Sequence, residues 1–310
     1  IFTLIDIVYE PVQNNGYKQF VKQHRINVTK DIIYDFEFPE IRKGDLYIQS
    51  DLPSTGKLPV FINLHGGGFV AGNKRHRRYF SAYVASLGYA VFNINYGIAS
   101  EYKFPFCVRS GVVALNWVVK NAETFNLDPS KIVVSGDSAG ANIASLICTA
   151  ASNEEYAKEI GAPASLTVPT GALLFCGPFD LEISLNKRLP LDLANKIIEE
   201  TTGYDKDHVN EFKYFKYFAP MEFINERFPK TFLVYAKKDI FCAQQSEMLE
   251  QTLNEKNIPV ESFYSERFLD NHCFHLNHNF KVSQQAIEKA SEFLEALKNE
   301  QSDADIKVEN

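Results

Sequence analysis

The sequence predicts an α/β fold built on a mostly parallel, doubly wound sheet, and three observations carry that expectation. Apolar runs of strand length recur at 58–64, 90–95, 131–135, 171–176, 231–236 and 260–264. Most are apolar without interruption, as strands covered on both faces must be. Helical patterns separate them, and parallel neighbours need crossovers of that kind. Where the run at 131–135 ends, Gly136-Asp137-Ser138-Ala139-Gly140 leads into an alanine-rich helical stretch, 141–151. A serine between glycines at a strand-to-helix turn is held clear of the sheet.

Taken in chain order, residues 1–25 mix polar and aromatic groups without a clean period and are expected to pack as a cap element. Segments 31–38 and 45–49 alternate with period two and read as antiparallel edge strands. The run at 58–64 delivers His65-Gly66-Gly67-Gly68-Phe69. Three glycines directly after a strand leave backbone N–H groups unobstructed. Such donors, fixed where negative charge develops on a carbonyl oxygen, each lower a barrier by roughly 3–4 kcal/mol. Gly67 and Gly68, with the N–H of Ala139, are therefore the candidate oxyanion hole. The helix after Ser138 points its positive dipole end at the same place.

Further along, an insertion of about 179–228 exceeds what a crossover needs and is expected to complete the cap. Its aromatic cluster, Phe212, Tyr214, Phe215, Tyr217 and Phe218, reads as cap packing with some rings walling a pocket. The strand at 231–236 delivers Asp239. A helix at 244–254 follows, then the strand at 260–264 and a loop carrying His272. The last helix aligns Val282, Ala286, Phe293, Leu294 and Leu297 on one side before a polar tail from about Glu300, expected to be disordered. The whole chain, 1–310, reads as one domain with its cap.

These residues together resemble the hormone-sensitive lipase family of α/β-hydrolase esterases, over roughly 45–298. The resemblance rests on the HGGGF and GDSAG segments, the aspartate after a penultimate strand, and His272-Cys273-Phe274. Tyr96-Gly97-Ile98-Ala99-Ser100-Glu101 is similar to the family's tyrosine-arginine-leucine-alanine-proline-glutamate segment. Gly97 and Ser100 depart from it, which puts the packing of that loop in question.

What the resemblance implies is Ser138 as nucleophile, His272 as general base and then acid, and Asp239 as the group orienting the imidazole. His65 would organise the oxyanion loop, and Asp137 would be structural. His275, three residues beyond His272, is the other candidate base. The implied activity is hydrolysis of short- to medium-chain acyl esters through an acyl-enzyme, with neither metal nor organic cofactor. A serine peptidase or amidase with the same triad, and a non-catalytic small-molecule receptor on this fold, are the alternatives; all three triad positions are filled here.

Composition sets the limits. The 310 residues carry a net charge of −7, which speaks against nucleic acid as a partner. The basic run Lys74-Arg75-His76-Arg77-Arg78 reads as a solvated helix start; near the cleft mouth it would favour esters bearing an anionic group. His272, His275 and His278, with Cys273, invite a zinc reading, but no second ligand cluster at a recognised spacing supports it. No apolar run is long enough to span a membrane. Five scattered cysteines, an odd number, read as reduced core residues of a cytoplasmic protein. The expected partner is a small-molecule ester, with a homodimer left open, and the first residue, Ile1, leaves a removed signal peptide open.

Overall fold

The computed structural model describes residues 13–51, 56–185 and 192–300. The expectations for most of the N-terminal cap segment and for the polar tail fall on residues 1–12 and 301–310, outside the described residues. Eight strands form one sheet among the described residues: β1 Ile26–Ile33, β2 Lys43–Gln49, β3 Leu58–Leu64, β4 Ala90–Ile94, β5 Leu127–Asp137, β6 Gly171–Phe175, β7 Lys230–Ala236 and β8 Val260–Ser265. Their spatial order is β1-β2-β4-β3-β5-β6-β7-β8. The two pairings of β2 are antiparallel and the rest are parallel.

Alternate residues of the central strands feed two separate cores, which is why their apolar runs are continuous. On one face Ile62, Val134, Leu174 and Leu233 pack with Val112, Leu146 and Leu249. On the other, Phe61, Val133, Leu173 and Phe232 pack with Val84, Phe293 and Leu294. The longer helices are α1 Tyr17–Gln23, α2 Arg78–Ser86, α3 Phe106–Lys120, α4 Ala139–Ser152, α5 Leu193–Thr202, α6 Gln245–Glu255 and α7 Lys281–Asn299. The chain leaves β3 toward β4 on one side and resumes at β5 on the other. The gap between the carboxyl ends of β3 and β5 is thus the topological switch point, where ligands bind in open α/β sheets.

Three sequence expectations need correction. The first strand occupies 26–33, not 31–38: a bulge lies between Thr29 and Ile32, and Asp31 takes a left-handed φ of 55°. Beyond it Tyr34 to Arg42 turn back, with Asp35 paired to the buried Arg42. β2 is not an edge strand, since it lies between β1 and β4. β8 is one, and it is half-exposed rather than covered on both faces. At the N-terminus, α1 packs on α2 and β1, and of the described residues there Gln13 lines the cleft at the switch point.

Candidate active site

Ser138 sits immediately after β5 with φ 52° and ψ −125°, a strained backbone shape for a residue with a Cβ. The flanking glycines are needed for space. A Cβ on Gly136 would lie 2.4 Å from the Gly140 carbonyl, and one on Gly140 would lie 2.4 Å from Leu64 O and 2.6 Å from His65 O. The turn can therefore close only if both are glycine, and α4 then starts directly behind the hydroxyl. Ser138 N–H donates to Phe175 O of β6 at 2.8 Å, which ties the turn to the sheet.

Asp239 lies three residues past β7 and His272 on the loop after β8. His272 Nδ1 is 2.8 Å from Asp239 Oδ2, and His272 Nε2 is 2.8 Å from Ser138 Oγ. An ionised carboxylate only accepts, so Nδ1 carries the proton and Nε2 is left to accept from the serine hydroxyl. Burial opposes charge on Asp239, but His272 and the N–H groups of Cys242 and Phe241 outweigh it and hold the carboxyl below its usual range. Burial likewise disfavours the His272 cation, yet the charge of Asp239 raises its pKa well above the ordinary value. Asn271 joins the two loops, its Oδ1 accepting from Ile240 N–H at 3.1 Å and from His272 N–H at 2.8 Å. No sequence signal marked this residue.

His275 is turned away from the serine. It is buried and stacked on Phe175 at 4.1 Å, and burial pushes its pKa down to about 3. The His278 ring lies tilted against Tyr79, 4.7 Å between centroids, so the three histidines do not converge as the zinc reading required.

Gly66, Gly67 and Gly68 follow β3 and line the same cleft as Ser138 and Ala139. The loop is fastened from beneath: Tyr96 donates to His65 O at 2.6 Å, and Ala99 N–H donates to Phe69 O at 2.7 Å. His65 stacks on Tyr96 and donates from Nδ1 to Gly66 O at 2.8 Å. Burial pushes the His65 pKa down to about 3, so it holds the loop as a neutral ring. The departure at Gly97 has a steric reason here, because a Cβ would meet the Phe106 ring at 2.4 Å.

The basic run is not a solvated helix start. Lys74, His76 and Arg77 are buried, and Lys74 pairs with Asp31 and Asp45. Arg77 forms a two-point pair with Asp137, Nε to Oδ1 and Nη2 to Oδ2, each at 2.5 Å. Asp137 Oδ1 also accepts from Gly66 N–H at 3.2 Å. Arg77 is thereby neutralised and is not free to recruit an anionic ester; Arg78 lies over the Tyr17 ring. An acid buried beside the serine requires a counter-cation, and that requirement is the sequence signal that could have singled out Arg77.

The cleft has a volume of about 620 Å³. Its far wall is apolar, made of Leu181, Leu193, Ala194, Ile197 and Phe218 from the insertion and Leu269 from the histidine loop. Of the aromatic cluster, Phe218 alone reaches this wall among the described residues; Phe212 and Tyr217 pack into the core.

A sheet of this order, with a strained serine between β5 and α4 and a histidine after the last strand, defines an α/β-hydrolase. The chain belongs to the BD-FAE family, whose model matches residues 45–253. It is similar to the esterase LipQ of Mycobacterium tuberculosis, at 25% identity over 252 residues, 81% of this chain and 58% of that protein. It is also similar to mouse hormone-sensitive lipase, at 30% identity over 151 residues, 48% of this chain and 20% of that protein. The chain thus matches less than two thirds of the length of these curated relatives. Among solved structures, esterase B from Lactobacillus rhamnosis superposes with a TM-score of 0.77 at 18% identity, covering 96% of this chain and 98% of that one. No helix among the described residues is long and apolar enough to cross a membrane.

Proposed function

We propose that this chain is a carboxylic ester hydrolase that works through Ser138, His272 and Asp239. The observation that carries the reading is the imidazole of His272, 2.8 Å from both Ser138 Oγ and Asp239 Oδ2 at the edge of an apolar cleft. Ser138 Oγ attacks the ester carbonyl while His272 Nε2 takes its proton, and Asp239 stabilises the resulting imidazolium. The oxyanion accepts from the N–H groups of Gly67, Gly68 and Ala139. His272 then protonates the departing alcohol. Water, deprotonated by the same nitrogen, attacks the acyl-enzyme and releases the acid and Ser138.

Gln13 and the described residues of segment 179–228 act in this reading as a cap that walls the acyl pocket. Esters of short to medium chain suit a cleft of this volume. The five cysteines, all free, fit a reducing cytoplasm. Hydrolysis of a p-nitrophenyl ester series from acetate to palmitate tests the proposal. Activity should peak at short chains and fall by about 10⁶ in kcat in both Ser138→Ala and His272→Ala. A parent without activity, or one unaffected by Ser138→Ala, overturns it.

A further inference from the structure

Behind the triad lies a second group of side chains that the hydrolysis does not use. Cys176 follows β6, and Cys273 and His275 flank Phe274 on the histidine loop. One ligand atom of each, two Sγ and a ring nitrogen, lie within 4.8 Å of one another. Cys273 N–H donates to Cys176 Sγ at 3.4 Å, which fixes the two sulfurs side by side. His275 is 2% exposed, and its Nδ1 has no hydrogen-bond partner among the described residues. A buried ring nitrogen without a partner costs stability unless something else uses it. Neither cysteine is in a disulfide, and Cys273 lines the cleft, so the group is reachable by the route substrate takes.

We infer that Cys176, Cys273 and His275 form a binding site for a thiophilic divalent cation of the zinc or cadmium type, and that filling it shuts the esterase down. Two sulfurs and one imidazole match the donor preference of such ions, with water in a fourth position; magnesium and calcium require oxygen. Two thiolates cancel the ion's charge, so the buried site ends neutral. Cys273 Sγ also lies 3.9 Å from Asp137 Oδ2, a carboxylate whose charge Arg77 already offsets. Inhibition follows from the chain itself: Cys273 is bonded to His272. Drawing its sulfur to about 2.3 Å from a metal moves the loop that holds the imidazole on Ser138. The ion is an inhibitor here and takes no part in the reaction.

The inhibitory half of this inference rests on the proposed ester hydrolysis, whereas the binding half does not. The test therefore reads both in the 310-residue chain, stripped with chelator and kept reduced. Cadmium is titrated while the ultraviolet sulfur-to-cadmium charge-transfer band is followed, and zinc is titrated against p-nitrophenyl butyrate hydrolysis. The expected result is a band saturating at one cadmium per chain and matching loss of activity under zinc. Cys273→Ser and His275→Ala should each weaken cadmium binding by at least about tenfold, relative to a Cys242→Ser control. That control matters because Asp239, Cys242 and His272 also gather within 4.8 Å. Cys273 is only half-buried, so Cys273→Ser with an unchanged circular dichroism spectrum is the informative variant. Alkylating Cys273 in the parent gives the same test without mutation. No band in an active parent overturns the site and leaves the esterase reading standing, and so does a band lost in Cys242→Ser but kept in Cys273→Ser. A band in a parent with no esterase activity supports the site and sinks the other reading.

Discussion

Arg77 and Asp137 bring opposite charges into the protein interior, 2.5 Å apart, directly beneath the serine and the oxyanion loop. Removing one partner leaves the other charge buried and uncompensated. Arg77→Met is therefore expected to lower stability by about 3–5 kcal/mol, read from urea unfolding, and adding Asp137→Asn should recover part of the loss. Because Asp137 also accepts from Gly66 N–H, activity should fall in both. The histidine makes a second residue-level prediction. In the proposed mechanism its neutral form is the base, and Asp239 raises its pKa above the ordinary value. With chelator present, kcat/KM should fall as pH falls through that raised pKa, giving an acid limb above about pH 6.5. Asp239→Asn should move the limb to lower pH and reduce kcat by about 10⁴. A limb that stays in place in Asp239→Asn would separate the two groups.

At the scale of elements, the site depends on how closely α4 approaches β3. Gly140 touches the carbonyls that end β3, and a methyl group there meets Leu64 O at 2.4 Å. Backbone on both sides cannot rotate away, so Gly140→Ala must push the helix off the strand. We expect destabilisation of at least about 1–3 kcal/mol in denaturant unfolding. Loss of activity should exceed what unfolding explains, because Ser138 and Ala139 shift with the helix. The eight-residue β1 and seven-residue β2 play a different part: they lengthen the sheet on the side away from the triad loops. Their antiparallel pairing was legible from period-two alternation, but the register of β1 was not, because the bulge at Thr29 and Ile32 breaks the alternation locally.

Over the whole molecule, the cleft is assembled from segments far apart in the chain: Gln13, the loops after β3 and β5, the insertion around α5, and the loops after β7 and β8. Its depth is thus a joint property. Ile197 faces Gly68 closely, since a Cβ on that glycine would lie 3.2 Å from Ile197 Cδ1. Ile197→Trp should fill the acyl side and move the chain-length optimum to shorter esters, raising KM for octanoate more than for acetate. An unchanged profile would place the acyl chain elsewhere.

The sequence by itself determined what depends on neighbours in the chain. Apolar runs marked the strands to within a residue or two at β3, β4, β6 and β7, since two-sided burial leaves a continuous pattern. Glycines at 66–68, 136 and 140 marked the two turns, since only a residue without a side chain fits there. The roles given to Ser138, Asp239 and His272 came from the family resemblance, laid over the strand ends that these local signals marked. Only the tertiary structure decided matters that depend on partners distant in sequence. Lys74 and Arg77 looked like solvent-facing charges until Asp45 and Asp137 were brought against them. The turn of His272 toward Ser138, with His275 folded back on Phe175, follows from the left-handed φ of 53° at the intervening Cys273. Hydrophobic periodicity is written along the chain, whereas the pairing of charges and the aim of a side chain are settled by contacts that exist only once the sheet has formed.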